Sequence, residues 1–377
     1  MNDFQTKLYN DLLYLTNINE AFFFKDQILD GCVYRVFSYR LASYSDFLSP
    51  NALECRGIMF KLLNNTPVEL SALPMMKFFN VNENPFTMDL DFNDIIEISL
   101  KMDGSLMSTY LHLGELRIKS KTALESEHAI NAMNWLNLPK NIDFKQQLFE
   151  LTVDNKTVNL EYTSPEPRMR IVVGYQEPRL TILNVRNKTN GSYCSKYDIP
   201  LHLNEIIDHW VDLVFVNDGP SFVDSITNMV GIEGYVIQLP SGLRVKKKTL
   251  WYCALHKSKD NVSNPKNLFN CVLDETTDDL RNLFCDDQYS LRLITEMEEF
   301  AGKIYNHLVN VVENFYEINK HLDRKEYAIK GQTELNNREF TLAMLKYTNK
   351  SFSYKEMMKK WYKEFGVLDK PSSEIVE

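Results

Sequence analysis

The 377 residues are 44% hydrophobic and 25% charged, with a formal net charge of −9. This is a globular composition, long enough for two or three domains that each bury a core. The acidic balance excludes a broad surface that coats nucleic acid without specificity, though it leaves room for a local basic cleft. No apolar run approaches the roughly 20 residues of a membrane-spanning helix. The opening MNDFQTKLYNDLLYL has no basic stretch ahead of an apolar core, so neither a membrane partner nor a secretory signal is expected.

In chain order, residues 1–30 read as helical, with Phe4, Leu8, Leu12 and Leu15 at helical spacing. From Val33 to about Val236 short β-rich runs dominate: 33–39, 56–63, 116–121, 157–163, 170–176, 180–186 and 234–239. Gly, Pro and Asn punctuate them, which predicts antiparallel sheets with interspersed helices. After about Cys253 the texture changes. Leu293, Met297, Phe300, Ile304, Leu308, Val311, Phe315 and Ile318 predict one long amphipathic helix. A further helix is expected near 353–356, where Ser353 and Glu356 have capping-box spacing. The expected fold class is therefore α+β, with antiparallel sheets and flanking helices over 1–254 and an all-helical domain over 255–377. Lys355, Lys359, Lys360 and Lys363 offer phosphate contacts, but Glu356 and Glu364 lie among them, so a solvated face is an equal reading.

Cys32, Cys55, Cys194, Cys253, Cys271 and Cys285 are scattered and the seven histidines show no ligand spacing. Reduced thiols and no structural zinc are expected, in a cytoplasmic setting.

The chemistry-bearing stretch is SLKMDGSLMSTY, 99–110, where Lys101 stands two places before Asp103-Gly104 between two alternating runs. As a lone signal it is weak, because Asp-Gly also marks a hairpin. A nucleophilic lysine must shed its proton, and nearby cations with partial desolvation favour that. Such an amine can attack the α-phosphate of a nucleotide if other cations stabilise the charge on the phosphate oxygens. Candidates are present: Lys246 and Lys248 share a strand face, Lys121 closes an alternating run two places after Lys119, and Arg56 and Lys77 sit in apolar surroundings. Each of these, taken singly, also reads as a solvated surface charge. Glu161 and Glu233 recur between strands.

The ordered set LECRGIMF, MMKFFN, LKMDGS, IKSK, NLEY, IEGYV and VKKK resembles the collinear motifs of the covalent nucleotidyltransferases. Residues 34–60, 77–88, 184–193 and 278–290 resemble the tRNA-repairing RNA ligases of T-even bacteriophages, the first RNA ligase family. The likeness covers roughly residues 1–300. It implies an ATP-dependent RNA ligase with Lys101 as the residue that takes AMP. Asp103 and Glu233 would be associated with metal, and Gly104 would let the backbone approach the nucleotide. Tyr39, Arg56 and Lys77 would contact the triphosphate or the leaving pyrophosphate, Phe79 would shape the site, and Lys121 would be an additional active-site lysine. Glu161 would serve the nucleoside, Lys246 and Lys248 the α-phosphate, with Tyr252 following them. Asp278 and Asp279 would lie near a second metal, although an Asp-Asp pair also caps a helix.

The resemblance further implies ATP and Mg2+ (or Mn2+) as cofactors and RNA as partner, in particular tRNA broken in the anticodon loop and chosen by the helical domain. A monomer is expected, in the host cytoplasm if the chain is phage-encoded. One departure stands out: Lys247 occupies a position that is usually apolar. Either the far face is solvated there, or a one-residue slip makes Lys247 part of the pair. Two other readings share the motifs, an inactive nucleotide- or RNA-binding module and a DNA ligase or capping enzyme. The latter usually carry a small β-barrel where this tail reads helical.

Overall fold

A computed structural model describes residues 1–366 apart from 41, 167, 168, 170, 278, 279, 282, 283, 285 and 286, with the side chains of 260 and 261 also left aside. The chain divides into two compact units, Met1–Cys253 and a second beginning at Ala254. The class is α+β: three sheets with flanking helices, then helices.

The first sheet has the order β1 (Phe22–Leu29), β2 (Cys32–Tyr39), β3 (Met59–Leu63), β4 (Thr66–Ala72), all antiparallel. Helix Asp3–Ile18 covers one face through Leu8, Tyr9, Leu12 and Leu15. The helix stops earlier than the apolar spacing suggests. Asn19 leaves helical geometry, and the aromatic run after it pairs with β2 from Phe22 to Leu29. Aromatic residues fit a pleated, half-buried surface better than a further helical turn. The opposite face, with Tyr34, Val36 and Met59, packs on Tyr110 and Leu124 of the next layer.

Short β5 (Phe79–Asn80) and β6 (Glu97–Lys101) belong to a third sheet. Next come β7 (Ser105–His112), β8 (Glu115–Ser120), β9 (Lys156–Thr163), β10 (Arg179–Asn187) and β11 (Tyr193–Cys194), forming a second sheet of order β11-β10-β9-β7-β8. Helices Glu127–Leu136 and Ile142–Val153 bury Trp135, Leu136, Phe144 and Leu148 against it. The third sheet is completed by β12 (Gly234–Gln238) and β13 (Arg244–Lys248), in the order β5-β13-β12-β6. Its back face, Ile237 and Val245, packs on Val223 and Ile226.

One expected strand is absent: residues 171–176 are irregular. The backbone N–H groups of Val172 and Val173 go to the Asp103 carboxylate, at 2.7 Å each, so their hydrogen bonds are met by a side chain instead of a neighbouring strand.

In the second unit the long helix runs Gln288–Asn319, with Leu308, Val312 and Phe315 buried. It packs with Pro265–Leu273, Asn337–Tyr347 and Tyr354–Lys360 around Phe269, Tyr327, Leu342 and Met358. Ser353 caps the last of these helices by accepting from the Glu356 N–H. Lys355 pairs with Glu275, and Lys359 with Asp274 and Glu356, so part of the lysine face is neutralised within the unit. No described helix is long and apolar enough to cross a membrane.

Candidate active site

The third sheet sets three residues abreast at each level. Gly234 lies between Lys101 on β6 and Lys248 on β13; Val236 lies between Ser99 and Lys246; Gln238 lies between Glu97 and Arg244. Directly paired residues share a face, so Lys101, Lys246 and Lys248 look the same way. Lys247 pairs with Tyr235, itself opposite Leu100, and belongs to the other face.

Glu233 enters just before β12, its carbonyl held by the Thr249 N–H at 3.0 Å. Its carboxylate, 3% exposed, accepts from Lys101 Nζ through Oε2 and pairs with Lys248 Nζ through Oε1, both at 2.8 Å. Burial, then Lys77, Lys101 and Lys248, push Lys246 down to about 8. Lys121 is held below the ordinary lysine range by burial and by Arg56 and Lys77, and its Nζ lies 4.3 Å over the Tyr39 ring. Lys77, lowered by burial and Arg56, lies 5.0 Å over Phe79 and 5.7 Å over Tyr39. The result is a local excess of positive charge in an acidic protein, suited to a polyanion.

From Lys101 a cavity of about 530 Å3 extends between the second and third sheets. Its wall includes Arg56, Phe78, Gly104, Glu161, Trp210 and, at the level farthest from Lys101, Glu97, Gln238 and Arg244. That volume suits a mononucleotide-sized ligand. A Cβ at Gly104 would stand 2.3 Å from the Tyr162 carbonyl oxygen, which accounts for glycine there. Glu161 accepts the Gly104 N–H at 3.1 Å. Burial pushes Glu161 up to about 7, against the pull of Lys101.

The raised Glu161 value has a testable consequence. Its protonated form is favoured by folding, so the associated stability is present below the ordinary carboxylate range and lost as pH rises through about 7. A rise from 4.5 to about 7 corresponds to roughly 3 kcal/mol. Glu161→Gln, neutral throughout, is expected to melt close to wild type at pH 5 and several degrees above it at pH 8. Equal melting temperatures at pH 8 in a calorimetric scan would refute a buried, strained carboxylate.

Asp103 is not placed as expected. It is 3% exposed; Oδ1 accepts from the Tyr252 hydroxyl at 2.8 Å, and Oδ2 accepts from Val172 and Val173 N–H. With the Asp103 N–H donated to the Tyr175 hydroxyl at 3.0 Å, the residue anchors the loop after Lys101. A metal-ligand role does not match a carboxylate so engaged. Phe79 also departs from expectation: it is 6% exposed, packed between Phe47 and Phe86, and its neighbour Phe78 lines the cavity. Asp278 and Asp279 lie outside the described residues, as does Cys285. Among the described residues no group of three His, Cys, Asp or Glu side chains could cage a metal ion.

Sequence reading passed over Glu97, Gln238 and Arg244, although period-two spacing from Lys101, Gly234 and Lys246 marks them. Tyr193 and Tyr175 carried no such signal. Arg244 lies 3.8 Å over the Tyr193 ring and donates to Gln238 at 2.7 Å.

Sheets, cleft and lysine-centred pocket define a nucleotidyltransferase of the ligase class. The family profile described as RNA ligase matches residues 54–259, and that described as T4 RNA ligase 1, C-terminal domain, matches 259–367. RNA ligase 1 of bacteriophage TS2126 is 26% identical over 320 residues, spanning 81% of this chain and 76% of that protein. An archaeal ATP-dependent RNA ligase superposes over 83% of each chain at 12% identity and a TM-score of 0.43. A Naegleria gruberi RNA ligase mutant with ATP and Mn covers 67% of this chain and 83% of its own, at 13% identity and a TM-score of 0.39. Superpositions that loose define no fold by themselves. The chain belongs to the RNA ligase family, in its T4 RNA ligase 1 branch, and is an RNA ligase.

Proposed function

We propose that this RNA ligase uses ATP to seal a 5′-phosphate to a 3′-hydroxyl through a lysine–AMP intermediate on Lys101. The observation that carries the reading is the Glu233 carboxylate, which holds Lys101, a residue of the cavity wall, together with Lys248. Glu233 is within reach to accept the Lys101 proton. The freed amine attacks the α-phosphorus, a P–N bond forms, and the P–O bond to pyrophosphate breaks. Lys246 and Lys248 stabilise charge on the α-phosphate oxygens, while Arg56, Lys77 and Lys121 stabilise the leaving pyrophosphate. Glu161 faces the nucleoside, and the level of Glu97, Gln238 and Arg244 closes the cavity at the base end. AMP then passes to the RNA 5′-phosphate, and the 3′-hydroxyl displaces it.

Glu233, unlike Asp103, is held by side chains that the reaction itself would draw away, and it would be the carboxylate to hold a magnesium ion once Lys101 turns to the α-phosphate. Such an ion would neutralise phosphate charge. Tyr252 acts by holding Asp103, and Asp103 by holding the loop that presents Lys101.

The test is incubation with α-labelled ATP and magnesium, followed by denaturation. Acid-labile label on the protein supports the reading, and its absence from active ligase would refute it. We assign RNA selection to the helical unit, and tRNA broken in the anticodon loop as substrate. A ligation assay comparing such loops with linear strands and nicked duplexes tests this; equal rates on all three would remove the tRNA assignment.

A further inference from the structure

Charged side chains are rarely buried outright, because leaving water is costly unless partners replace it. Arg186 is 1% exposed and Lys119 is fully buried. Both extend from strands of the second sheet to the segments that flank β3 and β4. Arg186 forms a two-pronged pair with Glu54, at 2.6 and 2.8 Å, and donates to the Pro74 carbonyl at 2.9 Å. Lys119 has no carboxylate partner among the described residues. Its Nζ donates to three backbone carbonyls: Gly57 at 2.8 Å, Ser120 at 2.9 Å and Lys121 at 3.3 Å.

These grips fall on either side of Arg56. Glu54 lies two residues before it and Gly57 one after, and among the described residues the Arg56 guanidinium itself donates a single hydrogen bond, 3.4 Å long, to the Met75 carbonyl. The two backbones touch at this point. Gly57 has φ +93°, and a Cβ there would stand 2.2 Å from the Lys121 carbonyl oxygen. A Met side chain would fill the space of Lys119 without desolvating a charge. What the Lys119 Nζ adds is the tie between the strand end that carries Lys121 and the loop that carries Arg56.

We propose that Lys119 is a positioning residue that fixes Arg56 beside Lys121 for the triphosphate, with Arg186 as the second grip. The proposal rests on the reading above, in which Arg56 serves the triphosphate. The test is a mutant cycle of Lys119→Met, Arg56→Ala and the double variant, measured as the rate of protein adenylation at saturating ATP. Affinities for ATP and AMP are measured beside it, and folding is checked by circular dichroism. Lys119→Met is expected to slow adenylation about 10- to 100-fold, the scale of a misplaced catalytic contact. The double variant should be within about 2-fold of Arg56→Ala, because the two changes remove one function. ATP affinity should fall relative to AMP affinity in both single variants, a ratio that general loss of packing would not move.

Multiplied losses in the double variant, or a wild-type rate in folded Lys119→Met, would overturn the proposal. If the Met variant does not fold, Lys119→Gln enters the cycle under the same criteria. A wild-type rate for Arg56→Ala would overturn the assignment of Arg56 and this proposal together. A slow Arg56→Ala beside a fast Lys119→Met would overturn this proposal alone.

Discussion

Replacing Lys101 by alanine is expected to reduce transfer of adenylate to the protein by at least about 10^3-fold, the scale seen when a nucleophile is removed. Lys101 is the lysine that β6 presents to the cavity. Its nearest cation in the sheet, Lys248, is paired with Glu233 on the other side of Gly234. Lys246 and Lys248, on the same face, are assigned to the α-phosphate oxygens in this reading, which leaves Lys101 as the group that forms the P–N bond. Sealing of an RNA already adenylated at its 5′ end should survive, because that step breaks no bond to Lys101. The variant also leaves Glu233 with one partner in place of two, and a buried carboxylate that loses a partner is destabilising. Melting curves therefore accompany the assay. Labelled protein at wild-type yield would refute the assignment.

The second large effect separates the three consecutive lysines of β13. Ala at Lys246 or Lys248 is expected to slow adenylation about 10^2- to 10^3-fold, in line with removing one preorganised contact to a charged transition state. Ala at Lys247 should stay within about 3-fold of wild type, because that residue pairs with Tyr235 on the opposite face of the sheet. Lys248→Ala also breaks the ion pair to Glu233, so its loss should exceed that of Lys246→Ala. A severe loss at Lys247 with mild losses at its neighbours would show the strand displaced by one residue.

The five-cation set around Lys101 explains how an acidic protein handles polyanions. Lys246, Lys248, Lys77, Lys121 and Arg56 come from four separate stretches of chain, and their half-buried setting limits the screening of their mutual repulsion by water. The same burial lowers Lys246, Lys121 and Lys77 from the ordinary lysine range. The arrangement is therefore costly until an anion occupies it, the triphosphate in the reading proposed above. This accords with a site built for binding and transfer, not for stability.

Much of this was legible in the sequence because it depends on local pattern. The period-two runs mark β2, β8, β9, β10 and β12, and the three-to-four spacing after Leu293 marks the long helix, since side-chain periodicity is a property of each segment by itself. The order of the lysine and carboxylate motifs likewise identified the family. Local pattern misjudged the stretch 22–29, where aromatic residues at ambiguous spacing became β1 once β2 offered an edge to pair with. It also misjudged 171–176, where a carboxylate took the hydrogen bonds that a strand would need.

Only the tertiary structure could decide how groups far apart in the chain meet. Lys101 and Glu233 stand 132 residues apart, as do Arg186 and Glu54, and no spacing rule links them. The pairing of β6, β12 and β13 aligned Glu97, Gln238 and Arg244 at the far level of the cavity and set Lys247 on the other face. Closure of the fold also redirected Asp103, a metal ligand by motif, into an anchor held by Tyr252, Val172 and Val173. A motif names the residue type that a chemistry needs. Which partner each group finds is settled by hydrogen bonding in a buried place, where every donor and acceptor must be matched.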